Sequence, residues 1–478
     1  MSENLEKLAP ELQKIEAFML KAEKAFGYLL EKVHPSHHKN AINLLHYLAL
    51  RSLDIRELQD ALHAEGLSSM ASSESHVMGQ LIAIQQHVGI SKPETEEVMN
   101  YATSKHSLHT KSVALFGNKE TEAVPYIMIT FDTSLATDYE KVKSLLQSGM
   151  NIARINCAHD EESTWFMMIQ QIKRASKVTG LSCRIYMDLA GPKIRTVINN
   201  GKLKVEEGHS IYLMDESQLN GAKNTIGCTI PAISSQLKSG ETVLFDDGLI
   251  ETRVEKIEDG KVKLRVLRVS SKKPFIKNEK GINFPDSTLL TPALTDYDKQ
   301  CLQFILKHAD IVGYSFVRNT KDIIELQEVL GNNRKPALVI KIETPEAVKN
   351  LPDLLFCAMR EENIGVMIAR GDLAVEIGFE RMSEIQEEIL WICEAAHLPV
   401  IWATQVLENL NKSGLATRSE VTDAAHAALA ECVMINKGVH IIHTIEALRD
   451  ILARSGGHHV KKRFTFRPLA IASRFMAT

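Results

Sequence analysis

The 478-residue chain lacks any run of about 18 apolar residues, the length a membrane-spanning helix needs, so no membrane span is expected. Its N-terminus, Met1 to Leu8, carries Glu and Lys early and has no apolar stretch behind a basic start, so it does not read as a secretory signal. Cysteine is sparse. The seven residues Cys157, Cys183, Cys228, Cys301, Cys357, Cys393 and Cys432 are scattered, odd in number and never in C-x-x-C spacing. That argues against a zinc site or a disulfide framework and for reduced thiols in a cytoplasmic protein. Neither sign of charge dominates: 56 Lys and Arg stand against 60 Asp and Glu, and the net charge of −4 gives nucleic acid no global basic field. No G-x-x-x-x-G-K-[S/T] is present, and no convincing G-x-G-x-x-G follows a strand, so a P-loop or dinucleotide-binding fold is not expected.

What remains is a chain with 44% hydrophobic and 24% charged residues, globular in composition and long enough for two or three domains. From Glu3 to about Met99 the pattern is helical. Leu44, Leu45, Leu48, Leu53 and Leu58 recur at helical spacing, and Pro10, Pro35 and Pro93 punctuate the segments. Ser73 ahead of Val77, Leu81, Ile82 and Ile84 predicts a capped amphipathic helix. Residues 1–120 are therefore expected to form a separate helical module for packing or dimerisation. His34, His37 and His38 read as a solvated loop group between helices rather than a metal site.

At Tyr126 short apolar strands begin to alternate with amphipathic helices. Strands are predicted at 126–129, 151–155 and 183–187, with helices at 138–147 and 162–178. From Thr196 to about Pro285 the rhythm gives way to β-branched alternation with turns at Asn199-Asn-Gly201, Asp247-Gly248 and Asp259-Gly260. Strands resume at 311–316, 337–342, 365–369, 399–403 and 432–435. Three strands before the insertion and five after it close a (β/α)8 TIM barrel, with an all-β lid after strand three. The expected domains are thus a barrel over 121–195 and 290–457, a lid over 196–289, and a basic, solvated tail over 458–478.

Barrels of this kind gather functional groups at the C-terminal ends of their strands. Here those ends carry Arg154, Asp188, Lys341, Glu343, Asp372 and Thr404. Taken singly each has a plain explanation: an Asp at a strand end commonly caps a helix, and a Lys can snorkel to solvent. Together at one rim, cations and carboxylates suit Mg²⁺ and an anionic substrate. The pattern alone reaches a metal-dependent barrel enzyme acting on an anion.

A more specific resemblance lies in short motifs. Gly149-Met-Asn-Ile-Ala-Arg-Ile-Asn156, Met187-Asp-Leu-Ala-Gly-Pro-Lys-Ile-Arg-Thr196, Phe245-Asp-Asp-Gly-Leu-Ile250 and Lys280-Gly-Ile-Asn-Phe-Pro285 resemble the pyruvate kinase family. Ser315-Phe-Val-Arg318, Val339-Ile-Lys-Ile-Glu343, Ile368-Ala-Arg-Gly-Asp-Leu373, Ala403-Thr-Gln-Val-Leu-Glu408 and Thr417-Arg-Ser-Glu420 continue the match in family order. Coverage runs from about Tyr126 to about Leu452. The resemblance implies phosphoryl transfer from phosphoenolpyruvate to ADP, giving pyruvate and ATP. It implies Mg²⁺ or Mn²⁺ on Glu343 and Asp372, with Lys341 and Arg154 on the transferring phosphoryl group. Gly371, Asp372 and Thr404 would seat the substrate carboxylate, and Arg195, His159, Lys280 and Asn156 would lie towards the nucleotide. Asp247 would close over the site from the lid.

Departures from the family pattern carry their own expectations. Ala158 and Leu189 stand where the family's potassium site has Ser and Thr, and Lys193 stands where potassium-dependent members have Glu. Lys193 is therefore expected to replace K⁺. Phe131-Asp132-Thr133, Asp286 and Asn436-Lys-Gly438 change the nucleotide side. The family's C-terminal regulatory domain has no counterpart, which predicts loss of fructose-bisphosphate control and of the usual tetramer interface. A homo-oligomer would then form through the barrel or the N-terminal helices. Two alternatives stay open: a pyruvate kinase homologue with an altered acceptor or no turnover, and a Mg²⁺-dependent phosphoenolpyruvate/pyruvate-type barrel lyase, which needs no β-lid.

Overall fold

The computed structural model describes residues 3–91, 98–119, 124–199, 201–219, 221–258, 260–271, 273–331, 336–456, 459–460 and 463–464. Eight parallel strands close a barrel: β1 Tyr126–Thr130, β2 Ile152–Asn156, β3 Arg184–Asp188, β4 Ile311–Tyr314, β5 Ala337–Ile342, β6 Ile364–Ala369, β7 Val400–Ala403 and β8 Cys432–Ile435. Tyr126 pairs with Cys432 to complete the ring. Both faces of these strands are covered, which is why their sequences run apolar without a polar alternate. Tyr126, Met128, Ile152, Ile311, Val339, Met367 and Met434 fill the interior, while Ile127, Ile129, Ile155 and Ile185 pack outward under the helices. Leu115 and Phe116, from the end of helix Tyr101–Phe116, join the interior cluster.

One glycine is obligatory in this ring. A Cβ on Gly313 of β4 would collide with Tyr186 Oη and Asp188 Oδ1 of β3. The bare backbone there makes room for a carboxylate inside the barrel.

The segment between β3 and β4 builds a seven-stranded sheet with its own core of Ile211, Leu213, Val243, Phe245, Val262 and Leu264. Its longest hairpin joins Ile250–Glu258 to Lys261–Val269. Asn200 and Asp259, from two of the expected turns, lie outside the described residues. Except for the pairing of His459–Val460 with Arg463–Phe464, the basic tail does too. Among the described residues no helix is long and apolar enough to cross a membrane.

The N-terminal helices differ from the sequence reading in three places. Pro10 lies inside helix Glu3–Ala25 instead of ending a segment. Ser73 does not cap the helix Val77–His87; its hydroxyl donates to Met70 O, and Asn43 Oδ1 accepts the Val77 N–H at 2.9 Å instead. His37 is not solvated but fully buried, with Nε2–H donating to Glu362 O at 3.0 Å.

These helices are pinned to the barrel by backbone-directed bonds. Asn43 Nδ2 reaches Ala395 O at 2.8 Å, and the His34 N–H reaches Met359 O at 2.8 Å. His397, fully buried on the barrel side, donates through Nε2 to Ser75 O at 2.8 Å. Burial, with the Lys111 charge adding to it, pushes both His37 and His397 down to about 4. A histidine whose folded value is depressed takes up its proton on unfolding, so stability is full above about pH 6.5 and is lost as pH falls towards 4. Each should cost roughly 2 kcal/mol between pH 7 and pH 5. Thermal midpoints measured over that interval should drop, and the H37Q/H397Q variant, which keeps an N–H donor, should show a flatter limb.

Candidate functional site

The C-terminal ends of β2, β3 and β5 bring four charged side chains into one buried cluster. Arg154, Asp188, Lys341 and Glu343 are exposed by only 9%, 1%, 7% and 1%. Asp188 is its hub. Arg154 donates to Asp188 Oδ2 through Nε at 2.9 Å and through Nη2, while its Nη1 donates to Thr130 Oγ1 at 3.0 Å. Lys341 Nζ lies 3.3 Å from the same Asp188 oxygen and 3.0 Å from Glu343 Oε1, and it donates to Ser315 Oγ at 2.7 Å. Tyr186 Oη donates to Asp188 Oδ1 at 3.1 Å. Glu343 Oε2 accepts the Phe316 N–H at 2.6 Å, with Phe316 held at φ 55°.

The charges sum to zero, yet the four ions do not titrate alike. Burial alone would raise Asp188, but Lys341 and then Arg154 outweigh it and hold the carboxyl below its usual range. Burial raises Glu343, Lys341 opposes this, and the Asp372 charge adds to it. Burial disfavours the Lys341 ammonium, but Asp188 and Glu343 overcome that and raise it. Desolvating four ions is costly even when they are paired, so such a cluster is poor evidence for stability and better evidence for chemistry.

A second group sits beyond β6 and β7. Asp372, in the first turn of helix Arg370–Ile377, is 2.9 Å from Lys193 Nζ. Thr404 Oγ1 accepts the Gly371 N–H at 2.7 Å. Thr404, Gln405 and Leu407 all take left-handed φ, at 66°, 57° and 49°. Backbone of this kind costs about 1–3 kcal/mol per residue and persists where the surroundings enforce it. Arg370 enforces it: it donates to Ala403 O at 3.0 Å and Thr404 O at 2.7 Å, pairs with Asp423, and lies 4.4 Å over the Trp402 ring.

The residues expected near a nucleotide are more dispersed. Asn156 Oδ1 accepts the Ala158 N–H at 3.0 Å within its own loop. His159 is largely exposed, and partial burial of its ring, with Lys437 adding to it, disfavours the imidazolium. Arg195 donates to Glu279 O at 3.0 Å, and Lys280 pairs with Asp246 at 2.8 Å. Burial raises Asp247. A cavity of about 470 Å³ opens beside Arg154, lined by Asp132, Asn156, His159 and Lys437 among others. A narrower cleft of about 90 Å³ between lid and barrel is lined by Lys193, Asn283, Phe316, Asp372 and Glu376. Burial, opposed by Asn283 and reinforced by Asp372 and Glu346, pushes Glu376 up to about 7.

Two of the departures serve local structure. Asp132 caps the short turn Thr133–Ala136 by accepting the Ser134 N–H at 2.9 Å, and Asp286 Oδ2 accepts the Thr242 N–H at 2.9 Å. Sequence reading missed Thr130, Tyr186, Ser315, Arg370 and Glu376. Tyr186 was recoverable, being two residues before Asp188 on one strand and so on the same face. Glu376, four residues after Asp372, shares its helix face for the equivalent reason.

Among the described residues no group of three or more His, Cys, Asp or Glu side chains forms a metal-binding array. The mouth offers instead two carboxylates, Glu343 and Asp372, near enough that the Asp372 charge raises Glu343, and each with a lysine ammonium against it. Two hard oxygen donors in mutual repulsion fit Mg²⁺, which takes one or two carboxylates and leaves its other positions to water and substrate oxygens.

Fold and site define a (β/α)8 barrel with a β-domain inserted after its third strand and a buried charge cluster at its mouth. The model of the pyruvate kinase barrel domain matches residues 110–439, and the chain belongs to the pyruvate kinase family. Among relatives named pyruvate kinase, that of Staphylococcus saprophyticus is 32% identical over 294 residues, covering 60% of this chain and 48% of the relative. That of Geobacillus stearothermophilus is 31% identical over 328 residues, covering 66% and 54%. That of Bacillus licheniformis is 32% identical over 327 residues, with the same coverage of 66% and 54%. The chain spans about half the length of these relatives.

Proposed function

We propose that the protein is a cytoplasmic phosphotransferase that moves the phosphoryl group of phosphoenolpyruvate to ADP, releasing pyruvate and ATP. The observation that carries this reading is the buried Arg154–Asp188–Lys341–Glu343 cluster with Asp372 and its lysine beside it. Asp188 holds Arg154 and Lys341 with their cationic ends at the mouth, where charge spreads over the transferring phosphoryl oxygens. The Asp372 N–H at a helix start, with the Thr404 hydroxyl that the Gly371 N–H orients, would seat the substrate carboxylate. Asn156 and His159, which line the cavity beside Arg154, would meet the nucleotide together with Arg195 and Lys280 from the lid side, and Asp247 would close with the lid to exclude water.

Glu343 and Asp372 would hold a Mg²⁺ or Mn²⁺ ion, which supplies neutralisation of phosphoryl charge. Substituting Glu343→Gln should weaken Mn²⁺ binding by at least the roughly 10–100-fold that loss of an outer-shell partner costs, read by paramagnetic titration with the fold checked by circular dichroism. Unchanged affinity would remove Glu343 from the metal site.

Potassium should be dispensable, because Ala158 and Leu189 offer no side-chain oxygen where two ligands would be needed. The Lys193 ammonium stands in for the ion's charge. Pyruvate formation from phosphoenolpyruvate and ADP with Mg²⁺ should therefore proceed equally with and without K⁺. Strict K⁺ dependence would overturn the role of Lys193. Absence of pyruvate with any nucleoside diphosphate would favour a different acceptor or a binding role, to which the acidic and basic lining of Asp132, Asp160 and Lys437 beside Arg154 also points.

A further inference from the structure

The helix that carries Asp372 also carries the seat of the lid. One turn after Asp372, Glu376 Oε1 accepts a hydrogen bond from Asn283 Nδ2 at 2.7 Å, and the Asn283 side chain is nearly buried. Asn283 belongs to the short lid strand Ile282–Asn283, which pairs antiparallel with Thr242–Phe245. That partner strand runs directly into Asp246, Asp247 and Gly248, whose φ values of 52°, 56° and 77° turn the loop sharply. The loop returns to the same helix and the turn just after it: a Cβ built on Gly248 would stand 3.9 Å from Val375 in the helix and 3.7 Å from Phe379 beyond its end. Lys280, three residues before Asn283, is bound to Asp246 in that loop.

We propose that Glu376 is a positioning residue that docks the lid, through Asn283, onto the helix bearing Asp372. The docking holds Lys280 and Asp247 in register with the carboxylate pair. This rests on the phosphotransfer reading for its kinetic consequence but not for the docking itself. Glu376 has no need to touch substrate. It acts through a bond that closes a three-sided seat made of the helix, the Ile282–Asn283 strand and the 246–248 loop.

Hydrogen exchange on the full chain separates the two claims. In wild type, the Asp246 N–H is held by Gly281 O at 3.0 Å and the Leu249 N–H by Asp246 O at 3.2 Å. Glu376→Ala should speed exchange in peptides covering 242–249 by about tenfold, the scale of losing one intramolecular hydrogen bond. Asn283→Ala, which breaks the same bond from the lid side, should give the same increase, and the double variant should add nothing further. Glu376→Gln keeps an acceptor oxygen and should restore most of the protection. In turnover assays the two alanine variants should raise the KM for ADP by about tenfold and leave phosphoenolpyruvate binding, measured by calorimetry, unchanged. Unaltered exchange in both single variants, or additive increases in the double, would overturn the docking role. A wild-type chain that makes no pyruvate but shows the coupled exchange would overturn only the phosphotransfer reading.

Discussion

Replacing Lys341 by methionine should reduce pyruvate formation by about 10³–10⁵, the range spanned when a cation aimed at a transferring phosphoryl group is removed. The side chain is almost wholly buried and meets Asp188, Glu343 and Ser315 with its one ammonium. Methionine fills similar volume without the charge, so the barrel should still fold. The cluster can also absorb the loss, because Glu343 is already raised by burial and can take up a proton when its lysine is gone. A second carboxylate, Asp188, stays paired with Arg154. Steady-state kinetics beside a thermal melt would check this: a large fall in kcat with a midpoint near wild type is the expected pair of results. A variant within tenfold of wild type would remove Lys341 from the chemistry.

Asp188→Ala should fail in the opposite way. Arg154 and Lys341 would then share the interior with a single carboxylate, and Tyr186 Oη would lose its acceptor. An arginine cannot shed its proton to relieve the imbalance. Breaking a buried ion pair from one side costs about 3–5 kcal/mol, and here one substitution removes a carboxylate from two cations, leaving Glu343 to Lys341 alone. The urea midpoint of the main unfolding transition should fall sharply, and much of the chain should be insoluble at 37 °C. Stability within 1 kcal/mol of wild type would mean that the cations reach solvent or other partners, contrary to their burial.

The two variants also show which parts of the molecule could be read in advance. All eight strands were legible, because parallel strands buried on both faces leave near-continuous apolar runs. The rim residues followed from topology, since each of the six candidates stands within about three residues of a strand's C-terminal end. What local pattern could not give was who meets whom. The Lys341–Asp188 contact joins residues 153 positions apart, and nothing near either one announces it. The same holds for Asn43, whose cap on Val77 and bond to Ala395 tie a helix to a distant helix end. His37 misled because a histidine beside Pro35 and Ser36 looks like a loop residue until the barrel's Glu362 carbonyl is set against it. Pro10 misled for a different reason, being taken as a boundary when the helix runs through it.

Leu115 and Phe116, each about 1% exposed, act as a stopper in the floor of the barrel, and a Cβ on Gly365 would come within 2.6 Å of the Leu115 side chain. A vessel corked at the bottom has a single door. Water and small ions bound for Tyr186, Asp188 or Lys341 must enter past the mouth and leave by the same route. Traffic is thus governed at one threshold, and a lid that rests there governs the wetness of the charged cluster, while the methionines packed beneath it stay dry.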